Sequence, residues 1–172
     1  MNIAFTMARE GQIIDPLLAG LAARLSDEGA RLAGIVQHNT DRPDAAPCDM
    51  DVIVLPDGPV RRISQFRGIG ARGCRLDTHA FETAVHLVAS RLSRATDLMI
   101  VNKFGKQEAA GRGLRDVIAM AVAWDVPVIV GLNRLNEEAF HAFTAGAATS
   151  LDPTPEALLD WARVVMRAPN LT

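Results

Sequence analysis

Lysine is almost missing from this chain. Of its 18 basic residues sixteen are arginine, and the two lysines, Lys103 and Lys106, fall inside one pentapeptide. Where arginine is the default cation, lysine kept twice in one place points to a need for a compact, strongly hydrated ammonium there. Cysteine is equally scarce. Cys48 and Cys74 stand far apart in a chain that shows no secretory signal, so reduced thiols are expected rather than a structural disulfide. No apolar run approaches the roughly 18 residues a bilayer span requires, and the first residues carry neither a charged leader nor a long apolar core. That excludes a membrane partner and predicts a cytoplasmic protein. A net charge of -2 with 22% charged residues excludes a general nucleic-acid binder, so any basic site has to be local.

What is present is ordinary globular material: 172 residues, 49% apolar, the size of one domain with a real core. The informative stretch is residues 97–113, DLMIVNKFGKQEAAGRG, where an apolar run too short for a buried helix gives way to basic, amide and glycine residues. It reads as a central strand emptying into a functional loop.

Around it, strands and helices alternate. Residues 2–7 read as a buried strand, and Asp15 and Pro16 mark the start of a helix whose Leu17, Leu18, Leu21, Ala22 and Leu25 recur at helical spacing until Gly29 closes it. Residues 32–37 form the next strand, the polar 38–47 an exposed excursion, and 50–55 a strand at an edge, ended by the Pro56–Pro59 turn. Residues 60–75 read as a basic loop. Asp77 caps a helix with the stripe Phe81, Ala84, Val85, Val88 and Leu92. After the central strand come a buried helix through Leu114, Val117, Ile118, Ala121 and Val122, a strand at 126–132, a short helix capped by Asn136, a weak strand at 147–151 and a last helix opened by Thr154. The pattern predicts a single-domain α/β fold, a mostly parallel open sheet with helices on both faces. Ligands in such sheets bind beyond the carboxyl ends of the strands, which brings together the loops after Met7, Leu55 and Val101.

The loop after the first strand is where a phosphate-cradling P-loop would stand, and it lacks the parts. Between Thr6 and Pro16 there is one glycine, no lysine, and no Ser or Thr to hold magnesium, while Glu10 and Asp15 are acidic. Ordinary P-loop hydrolysis is therefore not expected. Asn102-Lys103-Phe104-Gly105 is close to the base-reading Asn-Lys-x-Asp of GTPases, but Gly105 replaces the carboxylate that pairs with guanine. Residues 68–73 spell G-x-G-x-x-G without following the first strand or opening a helix, so they read as glycines that let an Arg-rich loop fold back.

The resulting site is an anion site. Lys103, Lys106 and Arg112 are expected to neutralise charge, Asn102 to donate a hydrogen bond, and Arg61, Arg62, Arg67 or Arg75 to close over the ligand with guanidinium forks. Glu108 either orients a lysine or caps the helix it opens. Gly111 and Gly113, costly early in a helix, allow close approach of a ligand or a facing element. Competing readings use other residues. His79, Glu82 and His86 share a helical arc that, with Cys48 and Cys74, could hold a metal; the same arc also fits a solvated face. Cys74 and His79 could form a nucleophile pair.

The stretch 97–114, with CDMD at 48–51, ISQ at 63–65 and GCRLD at 73–77, resembles the bacterial family known as domain of unknown function 2478, over nearly the whole chain. That family's architecture is similar to compact P-loop-type proteins such as the nucleoside-triphosphatase family, dethiobiotin synthetase and the molybdopterin-guanine-dinucleotide adaptor proteins. The resemblance implies a P-loop-NTPase-like fold with a degenerate Walker A segment and a nucleotide-sized anion site, and suggests molybdenum handling. Together the readings predict a protein that binds a nucleotide or a phosphate- or molybdate-like oxyanion, its cofactor identity and any catalysis left open. The alternatives are a non-catalytic accessory protein in metal-cofactor assembly, working as a homodimer or with a protein partner, and a Cys/His metal-binding protein.

Overall fold

The computed structural model describes residues 2–41, 48–65 and 75–167. One seven-stranded sheet organises the chain, in the order β4-β3-β2-β5-β6-β1-β7. Its strands are β1 (Ile3–Met7), β2 (Leu32–Thr40), β3 (Asp49–Val54), β4 (Val60–Arg62), β5 (Leu98–Phe104), β6 (Val128–Leu132) and β7 (Thr149–Leu151). The five strands from β2 to β7 run parallel. β5 holds the middle, as the unbroken apolar run at 98–101 requires of a strand covered on both faces.

The helices α1 (Asp15–Asp27), α2 (Thr78–Arg91), α3 (Lys106–Ala109), α4 (Arg115–Ala123), α5 (Glu137–Thr144) and α6 (Pro155–Arg167) supply the two layers. Side chains alternate along β5, so Leu98 and Ile100 pack with Leu18, Leu25 and Leu158 of α1 and α6. Met99 and Val101 face the other way, onto Phe81, Val88, Ile118 and Phe140 of α2, α4 and α5. No helix among the described residues is long and apolar enough to cross a membrane.

Several expectations change. The strand at 49–54 lies inside the sheet and pairs antiparallel with both β2 and β4, so β4 is the edge. Its direction sends the loop after Leu55 to the amino ends of the parallel strands, where Arg91 binds the Leu55 carbonyl at 3.3 Å and Asp57 at 2.8 Å. That loop is therefore remote from any site at the carboxyl ends. The segment expected to be a basic loop begins as strand β4, and β2 runs on to Thr40. Gly111 and Gly113 stand between α3 and α4 at φ +79° and +60°, not inside a helix. Asp77 and Thr154 cap as expected, accepting from the Ala80 and Ala157 amides at 3.0 and 3.2 Å. Asn136 does not: Asn133 caps the single 3-10 turn Arg134–Asn136 that leads into α5.

The central strand is irregular where it matters. Val101 pairs with Val130 but Phe104 with Leu132, so β5 carries one more residue than β6 across this step. Such a bulge re-aims side chains. It falls at Asn102 and Lys103, and Gly131 opposite leaves room for the Asn102 carbonyl, which a Cβ there would strike.

Candidate functional site

The bulge sends Asn102 and Lys103 to different places. Asn102, 2% exposed, turns toward α1. Its Nδ2 donates to Asp15 Oδ1 at 2.9 Å, and its Oδ1 accepts from the Gln37 amide at 2.9 Å. The second Asp15 oxygen accepts from Asn39 Nδ2 at 2.7 Å, and Gln37 Nε2 donates to Asn39 Oδ1 at 2.8 Å. Asp15 is thus no cap for its own helix, which has no side-chain cap, but the anchor of an amide cluster. Asn102, expected to donate to a ligand, is committed to this cluster.

The same cluster explains what became of the phosphate loop. The chain from Ala8 to Ile14 closes on itself, Gln12 donating its amide to the Arg9 carbonyl at 2.9 Å and accepting from the Arg9 amide at 3.1 Å. It is tied sideways to the β7–α6 connection by Gln12 Nε2 on the Pro153 carbonyl at 2.8 Å and Arg9 on Asp152 at 3.3 Å. A carboxylate, that of Asp15, lies in the first turn of α1, where the partial positive charge of a helix would otherwise favour a phosphate.

Two members of that cluster, Gln37 and Asn102, border the same cavity as Lys103 and Lys106. Both lysines are exposed, and both line this cavity of about 380 Å³ at the carboxyl ends of β2 and β5. Its apolar wall includes Ile35, Val52, Ile63 and Phe81, and Asn133, Leu135 and Asn136 reach it from beyond β6. Neither lysine has an ion-pair partner among the described residues, whereas Arg9, Arg24, Arg31, Arg62, Arg91 and Arg163 each pair with a carboxylate.

The remaining predicted residues divide. Arg75 lines the cavity and donates from Nη1 to the Cys48 carbonyl at 3.0 Å. Glu108 lines it too, yet the residue is 2% exposed and its carboxylate accepts from the Gly105 and Leu114 amides at 2.9 and 3.0 Å, so it organises the backbone and not a lysine. Burial pushes its carboxyl above the ordinary glutamate value, against the lowering effect of those amides. Arg62 sits on the edge strand bound to Asp49 and Asp51 at 2.8 and 3.0 Å, and neither it nor Arg61 nor Arg112 lines the cavity. Arg67, Cys74 and the G-x-G-x-x-G segment lie outside the described residues. His79 and His86 are exposed on α2, Cys48 is a free thiol, and no three His, Cys, Asp or Glu among the described residues are grouped to hold a metal. Sequence reasoning missed Gln37 and Asn39, whose i, i+2 spacing on a strand already put two amides on one face.

An open, largely parallel sheet with helices on both faces, a strand-to-helix turn where a phosphate cradle would stand, and a crevice at the strand ends define a P-loop-like α/β protein with that cradle remade. In fold the chain is similar to the solution structure of a human cancer-related nucleoside triphosphatase, with a TM-score of 0.61, 16% identity, and 96% of this chain and 94% of that one covered. It belongs to the family described as Protein of unknown function (DUF2478), whose model matches residues 3–161. It is also 39% identical over 150 residues to the molybdenum import ATP-binding protein ModC 2 of Bradyrhizobium diazoefficiens; the match covers 87% of this chain but only 17% of that protein.

Proposed function

We propose that this chain is a cytoplasmic protein that binds a nucleotide or small oxyanion in the crevice at the ends of β2 and β5, with Lys103 and Lys106 supplying the charge. The observation that carries this reading is the state of the lysines: two exposed ammonium groups on one cavity, without a carboxylate partner among the described residues. Six of the described arginines are neutralised by acids, and described cations that are not, such as Arg61 and Arg112, do not line the cavity; two open ammonium groups on one cavity favour an anion arriving from outside. The likeness to a molybdenum import ATP-binding protein supports molybdenum handling as the setting. The remade β1–α1 turn argues against hydrolysis by a phosphate loop.

Thermal unfolding with ATP, GTP, molybdate and phosphate tests the reading. A ligand at a hundred times its Kd adds about 2.7 kcal/mol of stability. We expect at least one of the four to raise the melting temperature, and Lys103→Ala with Lys106→Ala to abolish the rise. No shift with any of them, or a shift the double variant keeps, overturns it.

A second reading is favoured by the coverage of the ModC 2 match, in which the region similar to this chain is a small part of a longer transport protein. It makes the chain a non-catalytic accessory that docks on a molybdenum-handling partner. An unchanged melting profile with retention of this chain on an immobilised molybdenum import ATP-binding protein would favour it.

A further inference from the structure

We infer that the ligand of this cavity is an organic anion, a ring or other apolar body bearing a phosphate or carboxylate, and not a bare inorganic oxyanion. The inference rests on the anion-binding reading and narrows it.

Three features of the crevice point the same way. Its depth is apolar: Ile35, Val52, Ile63 and Phe81 are all buried core residues that also face the cavity, and Met50 continues that wall. At the other end Leu135 lines it while 92% exposed, extending the apolar surface outward. A tetrahedral oxyanion gains nothing from such a wall, whereas a ring laid on it removes apolar area from water on both sides.

Several of the polar groups that could have surrounded a small oxyanion are engaged elsewhere, Arg75 among them through the Cys48 carbonyl. Asn102 is held by Asp15 and the Gln37 amide. The Gly105 amide, next to Lys106, is taken by Glu108. The Asn133 side chain accepts from the Asn136 amide at 3.2 Å and from Asn136 Nδ2 at 2.9 Å. Bare oxyanions are held by donors converging from several directions; here Lys103 and Lys106 come from one short stretch, the end of β5 and the start of α3.

Size agrees. About 380 Å³ falls within the range of organic-ligand sites and is several times what one tetrahedral ion fills. The expected pose puts the anionic group at the two lysines and the ring against Val52 and Phe81.

Calorimetric titration at fixed ionic strength with phenyl phosphate, AMP, inorganic phosphate and molybdate tests this. At least one of the two organic probes should bind about tenfold or more tightly than either inorganic ion. Met50→Gln and Leu135→Ser should weaken that probe severalfold while leaving the affinity for inorganic phosphate unchanged. Leu135 is exposed enough that its replacement leaves the fold intact, so a negative result there is informative. Inorganic phosphate or molybdate binding as tightly as both organic probes, in a manner lost in Lys103→Ala with Lys106→Ala, overturns this inference and leaves the anion-binding reading standing. Indifference of the organic probe to both wall variants overturns it as well. If none of the four probes binds, or the lysine variants bind them unchanged, the anion-binding reading fails and the inference with it.

Discussion

Asn102, at the bulge of the central strand, donates from Nδ2 to Asp15 Oδ1 at 2.9 Å, joining the sheet to the first turn of α1. In phosphate-loop proteins strand ends and the start of the first helix serve a bound nucleotide and its metal. Here they serve each other. With Asn39 on the second carboxylate oxygen, the negative charge that α1 favours at its start is already part of the chain. The two lysines line a cavity walled by Phe81 of α2 and by no residue of α1, and Gln37 and Asn102 border that cavity from the Asp15 cluster.

Asn102→Asp tests that bond directly. It sets two carboxylates at hydrogen-bonding distance in a buried setting, where they cannot both ionise cheaply, and removes a charge-assisted hydrogen bond. The expected loss is about 3 kcal/mol near neutral pH, measured by urea unfolding. Because the shared proton is bound more tightly in the folded state, the variant should recover relative to wild type as pH falls toward about 5. Asn102→Leu, which cannot share a proton, should be destabilised without that recovery. Equal pH dependence in the two variants would mean that Asp15 and Asn102 are not in contact.

How much of this was readable in advance follows from the range of each interaction. The crossover pattern, the central place of β5 and the lysines at its end all follow from local periodicity and a short apolar run. The direction of β3 does not, because an apolar hexapeptide looks alike either way round. What decides it is the connection: with β2 extended to Thr40, residues 41–48 are too few for a parallel crossover. The roles of Asn102 and Arg62 were hidden for another reason. Each is set by partners on other elements, Asp15 in one case and Asp49 with Asp51 in the other, and spacing within a segment carries no trace of those pairings.

Two glycines should answer oppositely to alanine. At Gly131 a new Cβ would meet the Asn102 carbonyl, a backbone group, and Leu18 Cδ1 at 3.1 Å, so the bulge has to shift. Gly131→Ala should cost about 1–3 kcal/mol. Gly20 lies in α1, where an added methyl group would meet nothing within 4 Å and the backbone angles are ordinary. Gly20→Ala should stabilise by about 0.5–1 kcal/mol, since it removes the entropy cost of glycine in a helix. Midpoints of chemical unfolding check both, and a Gly131→Ala protein as stable as wild type would show that the close approach across β5 and β6 is not real.

Glu108 gives the chain a pH dependence of unusual sign for a carboxylate. Its side chain is buried, bridges the Gly105 and Leu114 amides, and has its proton affinity raised chiefly by burial. A carboxyl whose folded pKa lies above its unfolded value binds its proton more tightly in the folded state. Its contribution is therefore largest at low pH and falls as pH rises from the ordinary glutamate value through the raised one, then stays level. Glu108→Gln removes this titration. It also costs about 1–3 kcal/mol, because an amide has one acceptor oxygen where the carboxylate uses two, and a buried N–H is left unpaired. With both proteins unfolded in urea at a series of pH values, the stability of wild type over Glu108→Gln should be greatest in acid and narrow as pH rises through that window; all other groups cancel in the difference. A gap that widened with pH would show that the two amide donors outweigh burial and that the Glu108 pKa is depressed.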